Sequence, residues 1–366
     1  MYNEQDLVRI AKRENNTKRT YLVANRFQGK YIAAKPFQAL EMFRALADIV
    51  KDRYSHEKLL LIGFAEAATA VGAAVAIALK TAYIQTTREQ IPDVEYLYFL
   101  EEHSHAKEQK LVKNDMDSII GEIDRILFIE DELTTGNTIL NIVNLIQKQY
   151  SNKIQFSVAS LLNGMEDTAL TTFRDRNIDL FWLAKINLAP YAAEAASYKT
   201  DGTIVLADSE RTPSQVQYIK INKMPDTRRL VDAVLYADSC EKLYQDIAGQ
   251  IDLKGMDRIL VLGTEEFMYP ALFVAERIEA QGKTVQFHAT ARMPVVVSRE
   301  EHYPFHIRYE LISLYDNSRT TYLYELGQYD KVIVITDAKT DMVEGTATLL
   351  NALSLAGNEN IVLVSQ

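Results

Sequence analysis

The sequence predicts a parallel α/β fold in two domains. Apolar strand-like runs alternate with helix-like segments, a second series of the same kind begins near residue 258, and 366 residues exceed what one hydrophobic core usually holds. Short β-branched or aliphatic runs stand at residues 59–62, 82–86, 125–129, 156–162 and 179–184. Helical patterns at 67–79, 137–149 and 165–174 separate most of them. Such βαβ units give a parallel sheet covered on both faces, with ligands bound beyond the carboxyl ends of the strands. Ahead of this series, residues 19–36 read as a small hairpin with Gly29 at its turn. The alanine-rich run 67–79 is too short to span a bilayer and reads as a helix packed on the sheet.

The second series has strands at 258–262, 284–288, 331–336 and 360–365, with helices at 268–280 and 345–356. It matches the first as a diverged internal repeat. Leu60-Leu61-Ile62-Gly63 answers to Leu260-Val261-Leu262-Gly263, Thr86-Thr87-Arg88 to Thr290-Ala291-Arg292, and Asp124-Arg125-Ile126 to Asp330-Lys331-Val332. The order is kept and each separation is about 200 residues. The polar segment 207–214 marks a boundary near residue 205, so the expected domains are 1–205 and 206–366.

Composition excludes several classes. Hydrophobic residues make up 48% and charged residues 25%, as in an ordinary globular chain. A formal net charge of −10 disfavours general affinity for nucleic acid or anionic membranes, while leaving room for one local phosphate site. With Cys240 alone, no internal disulfide forms. Residues 1–18 are polar and show no signal peptide, so a cytoplasmic location is expected.

The chemistry concentrates in residues 126–139. An apolar strand ends in Glu130 and Asp131, and a short loop carries Thr134, Thr135, Gly136, Asn137 and Thr138 into an amphipathic helix. A helix start offers backbone N–H groups and the positive end of its dipole to a phosphate. The threonines add hydroxyl donors, Gly136 permits close approach, and the two carboxylates can accept hydrogen bonds from sugar hydroxyls. A hydrogen bond to a charged group contributes roughly 1.5–3 kcal/mol, so several converging on one phosphate suffice without a lysine. A second turn, Ala65-Glu66-Ala67-Ala68-Thr69, joins the first strand to the alanine-rich helix.

The 126–139 segment resembles the phosphoribosyl-pyrophosphate (PRPP) signature of type I phosphoribosyltransferases, with Glu130 where aspartate is commoner. The resemblance implies that fold for the first domain. It implies that Glu130 and Asp131 hold the ribose 2′ and 3′ hydroxyls, that Thr134–Thr138 seat the 5′-phosphate, and that Ala65, Glu66, Ala67, Ala68 and Thr69 form the pyrophosphate loop. It places a mobile loop within 86–110, where Arg88 would neutralise pyrophosphate and His103 or His105 would donate a proton to it. The His-x-His spacing alone also suits a metal-ligand pair. A variable hood that grips the base makes Asn25, Lys30 and Lys35 candidates for substrate contact, and Phe181 and Trp182 candidates for stacking.

Over nearly its full length the chain resembles a bacterial family in which an orotate-transferase-like domain precedes a TRSP domain, a family associated with tellurium-resistance and stress gene clusters. The naming Thr-Arg-Ser-Pro motif survives here as Ala291-Arg292-Met293-Pro294. Thr336-Asp337 and Lys339-Thr340-Asp341-Met342 replace the acidic pair and the phosphate loop, so the second domain is expected to be a degenerate phosphoribosyltransferase-like copy that does not bind PRPP in the same way. Arg292, Tyr303, Arg308 and Arg319 remain candidates for an anion or nucleotide site there. The implied activity is a pentosyl transfer that makes or breaks an N-glycosidic bond, with Mg²⁺ carried by PRPP near Glu130 and Asp131. The alternative is a non-enzymatic PRPP or nucleotide sensor. The expected partners are PRPP or a nucleotide-like small molecule, with a homodimer or a pseudo-dimer of the two halves.

Overall fold

The computed structural model describes residues 2–100, 108–150, 153–208, 212–339 and 343–366. The chain forms two compact units. Unit 1 comprises residues 1–4, 40–187 and 225–239, and unit 2 comprises 5–39, 188–224 and 240–366. The units therefore interleave along the chain, where the sequence suggested consecutive halves divided near residue 205.

Unit 1 contains β1 (Leu59–Gly63), α1 (Thr69–Leu79), β2 (Ala82–Gln85), β3 (Tyr96–Leu100), β4 (Glu108–Val112), β5 (Arg125–Leu133), α2 (Asn137–Gln149), β6 (Gln155–Asn163), α3 (Asp167–Asp175) and β7 (Ile178–Lys185). Its sheet runs β2-β1-β5-β6-β7 with all neighbours parallel, and Val231–Asp232 adds a short antiparallel strand beside β2. That edge is secured by Arg229, whose Nε and NH2 donate to the two Asp115 carboxylate oxygens at 2.6 and 2.7 Å. This bidentate pair explains why residues 225–239 belong to unit 1, which composition alone did not reveal.

Both sheet faces are covered, so the strands are continuously apolar. Leu60, Leu61, Ile62 and Ile126 through Ile129 are fully buried. Ile139, Ile142, Val143 and Ile146 of α2 cover one face together with Phe128 and Val158. Truncating one of these residues, Ile126→Ala for example, costs about 2–5 kcal/mol through lost burial and the cavity left behind. In α1 the buried small residues allow close packing. A side chain at Gly72 would stand 2.7 Å from the Tyr83 hydroxyl, which donates to Thr69 O at 3.0 Å.

Unit 2 contains β8 (Gln215–Lys220), β9 (Arg258–Gly263), α4 (Tyr269–Glu279), β10 (Thr284–Ala289), β11 (Ile307–Ile312), β12 (Thr320–Tyr324), β13 (Lys331–Ile335), α5 (Val343–Leu355) and β14 (Asn360–Ser365). Its parallel sheet runs β10-β9-β13-β14-β8. This is the order of unit 1 with β9, β10, β13 and β14 in the places of β1, β2, β5 and β6. The last place is taken by β8, which precedes the others in the chain. An antiparallel pair follows the second strand in both units, β3-β4 in one and β11-β12 in the other.

The residues paired in the sequence hold matching hydrogen-bond positions. Asp124 N donates to Lys58 O and Asp124 Oδ2 accepts Lys58 N, at 3.0 and 2.8 Å. Asp330 repeats both bonds with Arg258, at 2.8 and 2.9 Å. Thr86 N donates to Gly63 O at 2.9 Å, and Thr290 N to Gly263 O at 3.2 Å.

The N-terminal hairpin differs from expectation. It pairs Val8–Lys12 with Tyr21–Asn25 and belongs to unit 2. Gly29, with φ of 75°, serves a later bend, where a side chain would collide with the Phe287 ring at 2.2 Å. The expected 19–36 hairpin assumed that the only glycine nearby had to make the strand turn. Among the described residues no helix is long and apolar enough to cross a membrane.

His288, fully buried on β10, places Nδ1 3.3 Å from Gly29 O and Nε2 3.1 Å from Tyr324 O. Burial pushes its pKa below the ordinary 6.5. The unfolded chain therefore takes up a proton as pH falls through that value while the folded ring resists. The stability that His288 contributes is complete above 6.5 and is lost as pH falls toward the lower folded value. The melting temperature of wild type should drop between about pH 7.5 and about pH 5.5, and His288→Gln should lose less over the same range.

Candidate functional site

The site of unit 1 lies at the carboxyl ends of β2, β1, β5 and β6. Parallel pairing sets Gly63 opposite Ile129, and Phe64 N donates to Ile129 O at 3.1 Å. The turn after β1 and the loop after β5 therefore start side by side.

The strand continues through the acids. Glu130, Asp131 and Glu132 are half-buried residues of β5, and Glu130 stands opposite Ser160 of β6. Gly136 then caps α2 with φ of 77°. It is buried, and a Cβ there would lie 2.5 Å from the Phe173 ring and 3.1 Å from Met165 Cε. Both the left-handed backbone and the lack of space demand glycine. Asn137 N donates to Thr135 Oγ1 at 3.3 Å, and Thr135 and Asn137 are exposed. Gly136→Ala should cost about 1–3 kcal/mol in urea unfolding from strain and overpacking. Adding Phe173→Leu should relieve part of the steric cost but none of the backbone cost.

The second turn is built on small residues. Ala65 and Ala68 are buried, Glu66 and Ala67 are half-buried, and Thr69 begins α1 with its hydroxyl donating to Glu66 O at 3.1 Å. The Ala65–Glu66 peptide is cis. Thr86 and Thr87 are buried beyond β2, and half-buried Arg88 follows at the rim. His103 and His105 lie outside the described residues. The structure thus brings together Glu130, Asp131, Thr134 to Thr138, Ala65 to Thr69 and Arg88 at one end of one sheet.

Other expected contacts go elsewhere. Asn25, Lys30 and Lys35 belong to unit 2. Lys30 is buried and its Nζ donates to Glu265 O and Thr290 O at 2.9 and 2.7 Å, so it holds backbone within unit 2. Phe181 and Trp182 are half-buried in β7, with Phe181 edge-on to Tyr54.

Three residues escaped the sequence reading. Asn163, fully buried at the end of β6, accepts from Met165 N and Lys185 Nζ, each at 3.0 Å. Lys185 also donates to Met165 O, and burial lowers its pKa. Gln109, on β4, is 1% exposed and reaches the turn after β1. A polar residue closing an apolar strand is the available signal for the first two. For Gln109, only its inward place in an alternating strand offered one.

In unit 2 the equivalent end of the sheet is filled by internal ion pairs. Arg292 binds Glu265 and Glu266 at 2.5 and 3.0 Å, and Arg319 binds Glu265 at 3.0 Å. Arg308 pairs with Glu14 and Glu310, and the Tyr303 hydroxyl donates to Val296 O. The four anion-site candidates of this unit are thus all engaged with protein groups, Arg292 and Arg308 nearly fully buried.

A parallel sheet whose second βα loop combines carboxylates, hydroxyls and a glycine-capped helix start defines an α/β protein with a polar candidate site at the carboxyl ends of its strands. Residues 7–192 match the family described as phosphoribosyl transferase, and residues 232–353 match the TRSP domain found C-terminal to it. The chain belongs to this phosphoribosyl transferase family, followed by a TRSP domain. Among solved structures it is similar to the adenine phosphoribosyl transferase of Trypanosoma brucei, in complex with AMP, pyrophosphate and ribose-5-phosphate, at 17% identity over 49% of this chain and 76% of that one, with a TM-score of 0.36. The adenine phosphoribosyltransferase of Thermoanaerobacter pseudethanolicus is also 17% identical, over 50% of this chain and 97% of its own, with a TM-score of 0.36. The orotate phosphoribosyltransferase of Aeropyrum pernix is 13% identical over 44% and 77%, with a TM-score of 0.29. No curated protein matches the chain.

Proposed function

We propose that unit 1 is a phosphoribosyltransferase that makes or breaks the bond between ribose C1 and a ring nitrogen of a nucleobase-like substrate, with PRPP and pyrophosphate on opposite sides of the reaction. The observation that carries this reading is the adjacency of two polar turns, one after β1 and one after β5, tied by the Phe64 N to Ile129 O bond. PRPP carries a 5′-phosphate and a 1-pyrophosphate at opposite ends of one ribose, and paired turns on neighbouring strands suit that spacing.

On this reading the α2 start and the hydroxyls of Thr134, Thr135 and Thr138 hold the 5′-phosphate. Glu130 and Asp131 accept hydrogen bonds from the ribose 2′ and 3′ hydroxyls. The Ala65–Thr69 turn receives pyrophosphate, and Arg88 neutralises charge that gathers on it as the C1–O bond breaks. The ring nitrogen bonds to C1 as the C1–O bond breaks, its proton passes to the departing pyrophosphate, and Glu130 and Asp131 face the positive charge on the ribose.

Among the described residues no group of three or more His, Cys, Asp or Glu side chains is arranged to hold a metal. The oxygen donors of Glu130 and Asp131 fit Mg²⁺ that arrives with the ligand, since this ion commonly keeps waters and phosphate oxygens with only one or two carboxylates. When bound, it would supply charge neutralisation to the pyrophosphate.

Asp131→Asn should reduce pyrophosphate-dependent turnover at least about 100-fold while moving the melting temperature little, because the residue is half-buried at a strand end. Unchanged turnover would remove the role. Thermal-shift titration with PRPP, pyrophosphate, ribose 5-phosphate and nucleotides, each with Mg²⁺, should show stabilisation by ligands that bind only the folded chain. Binding of PRPP without product from any base would mark the sensor alternative.

A further inference from the structure

The turn after β1 is held by two side chains that the proposed chemistry does not use. Ala65 N donates to Thr86 Oγ1 at 2.8 Å. Thr86 Oγ1 donates in turn to Gln109 Oε1 at 2.8 Å, and Gln109 Nε2 donates to Ala65 O at 2.6 Å. The three groups close a ring. Thr86 is fully buried and Gln109 is 1% exposed, so water does not compete for these bonds. Both polar groups of one backbone residue are fixed by side chains from two other strands, β2's end and β4.

We propose that Gln109, through Thr86, is a positioning residue for pyrophosphate. It sets the conformation of Ala65 and hence the place at which the Glu66–Thr69 turn meets the leaving group. This assignment rests on the phosphoribosyltransferase reading of unit 1. Gln109 touches no substrate; its effect runs through the backbone of the turn.

The second unit supports the assignment by an independent route. Glu265 occupies the position of Ala65, and its N–H donates to Thr290 Oγ1 at 2.9 Å. The carbonyl of Glu265 is also bound, but by Lys30 Nζ at 2.9 Å. Thr87 bridges Lys110 on β4 as Ala291 bridges Tyr322 on β12, so the counterpart of Gln109 is Thr321. Threonine is too short for the reach that glutamine makes, and a lysine from the N-terminal segment donates instead. The same residue is thus clamped at both its N–H and its C=O in each unit, although the carbonyl donor differs in type and in origin. Unit 2 keeps this clamp without the Thr-Thr-Gly loop, so the clamp belongs to the turn after the first strand and not to the 5′-phosphate loop. Its loss should therefore be felt at one end of PRPP only.

The test is isothermal titration of the full chain with magnesium pyrophosphate and, separately, with ribose 5-phosphate. Gln109→Met keeps the length of the side chain and removes both hydrogen-bonding groups. Pyrophosphate affinity should fall about tenfold or more, and ribose 5-phosphate affinity should stay within about twofold. Thr86→Val should reproduce the selective loss, and Thr86→Ser, which keeps the hydroxyl, should restore most of the affinity. If Gln109→Met fails to fold, the Thr86 pair carries the same comparison. Unchanged pyrophosphate binding in the variants overturns the assignment, as does an equal loss of both ligands, which would report a general collapse of the site. Wild type binding neither ligand overturns the phosphoribosyltransferase reading itself, and this assignment with it.

Discussion

The parallel pairing of β1 with β5 places two backbone turns at the same height, and what unit 1 presents to a ligand follows from that register. Gly63 stands opposite Ile129, and the Phe64 N to Ile129 O bond extends the ladder by one step beyond β1. A slip of one residue would invert the facing of every side chain on the strand and move Glu130 and Asp131 away from the Ala65–Thr69 turn. Leu60 to Ile62 and Ile126 to Ile129 are fully buried, so that slip would exchange side chains between two close-packed faces at a cost in packing. Core packing therefore positions the polar turns, and the buried Thr86 and Gln109 side chains add hydrogen bonds to the first of them.

The two units show how one strand order supports different polar ends. In unit 1 the carboxyl ends carry carboxylates, hydroxyls and a glycine-capped helix start. In unit 2 the corresponding place holds Glu265, Glu266, Arg292 and Arg319 in mutual ion pairs. Buried charges are tolerated only when paired, and such pairs favour a defined arrangement more reliably than they add stability. The residue at Ala65 or Glu265 has both its N–H and its C=O bound by side chains in each unit, which separates what the fold requires from what the chemistry requires.

The central strands of both sheets were legible in the sequence because they are buried on both faces, whereas β8 and the antiparallel pairs β3-β4 and β11-β12 were not, β8 being largely exposed. The residues of the 126–139 segment were legible for a different reason: strand, acids, hydroxyls, glycine and helix occur there in one local run, and Gly136 indeed sits where only glycine fits. The roles of Gln109 and Lys30 were not legible. Each acts on a residue distant in sequence, Ala65 or Glu265, through a single long side chain, and nothing local names that distant partner. The division of the chain into units was obscured likewise. Arg229 and Asp115 form their bidentate pair across 114 positions, and no change in composition announces it.

The interleaving of the units bears on how the chain acquires its structure during synthesis. Domains tend to fold in the order in which they leave the ribosome. Here the segment 5–39 emerges before residues 40–187, yet Lys30 meets its carbonyl partner only when a residue 235 positions later has been made. Unit 1 meanwhile lacks its final edge strand until residues 225–239 are available. The nascent chain consequently completes unit 1 at residue 239, when segments 5–39 and 188–224 of unit 2 have already been made and residues 240–366 of it have not.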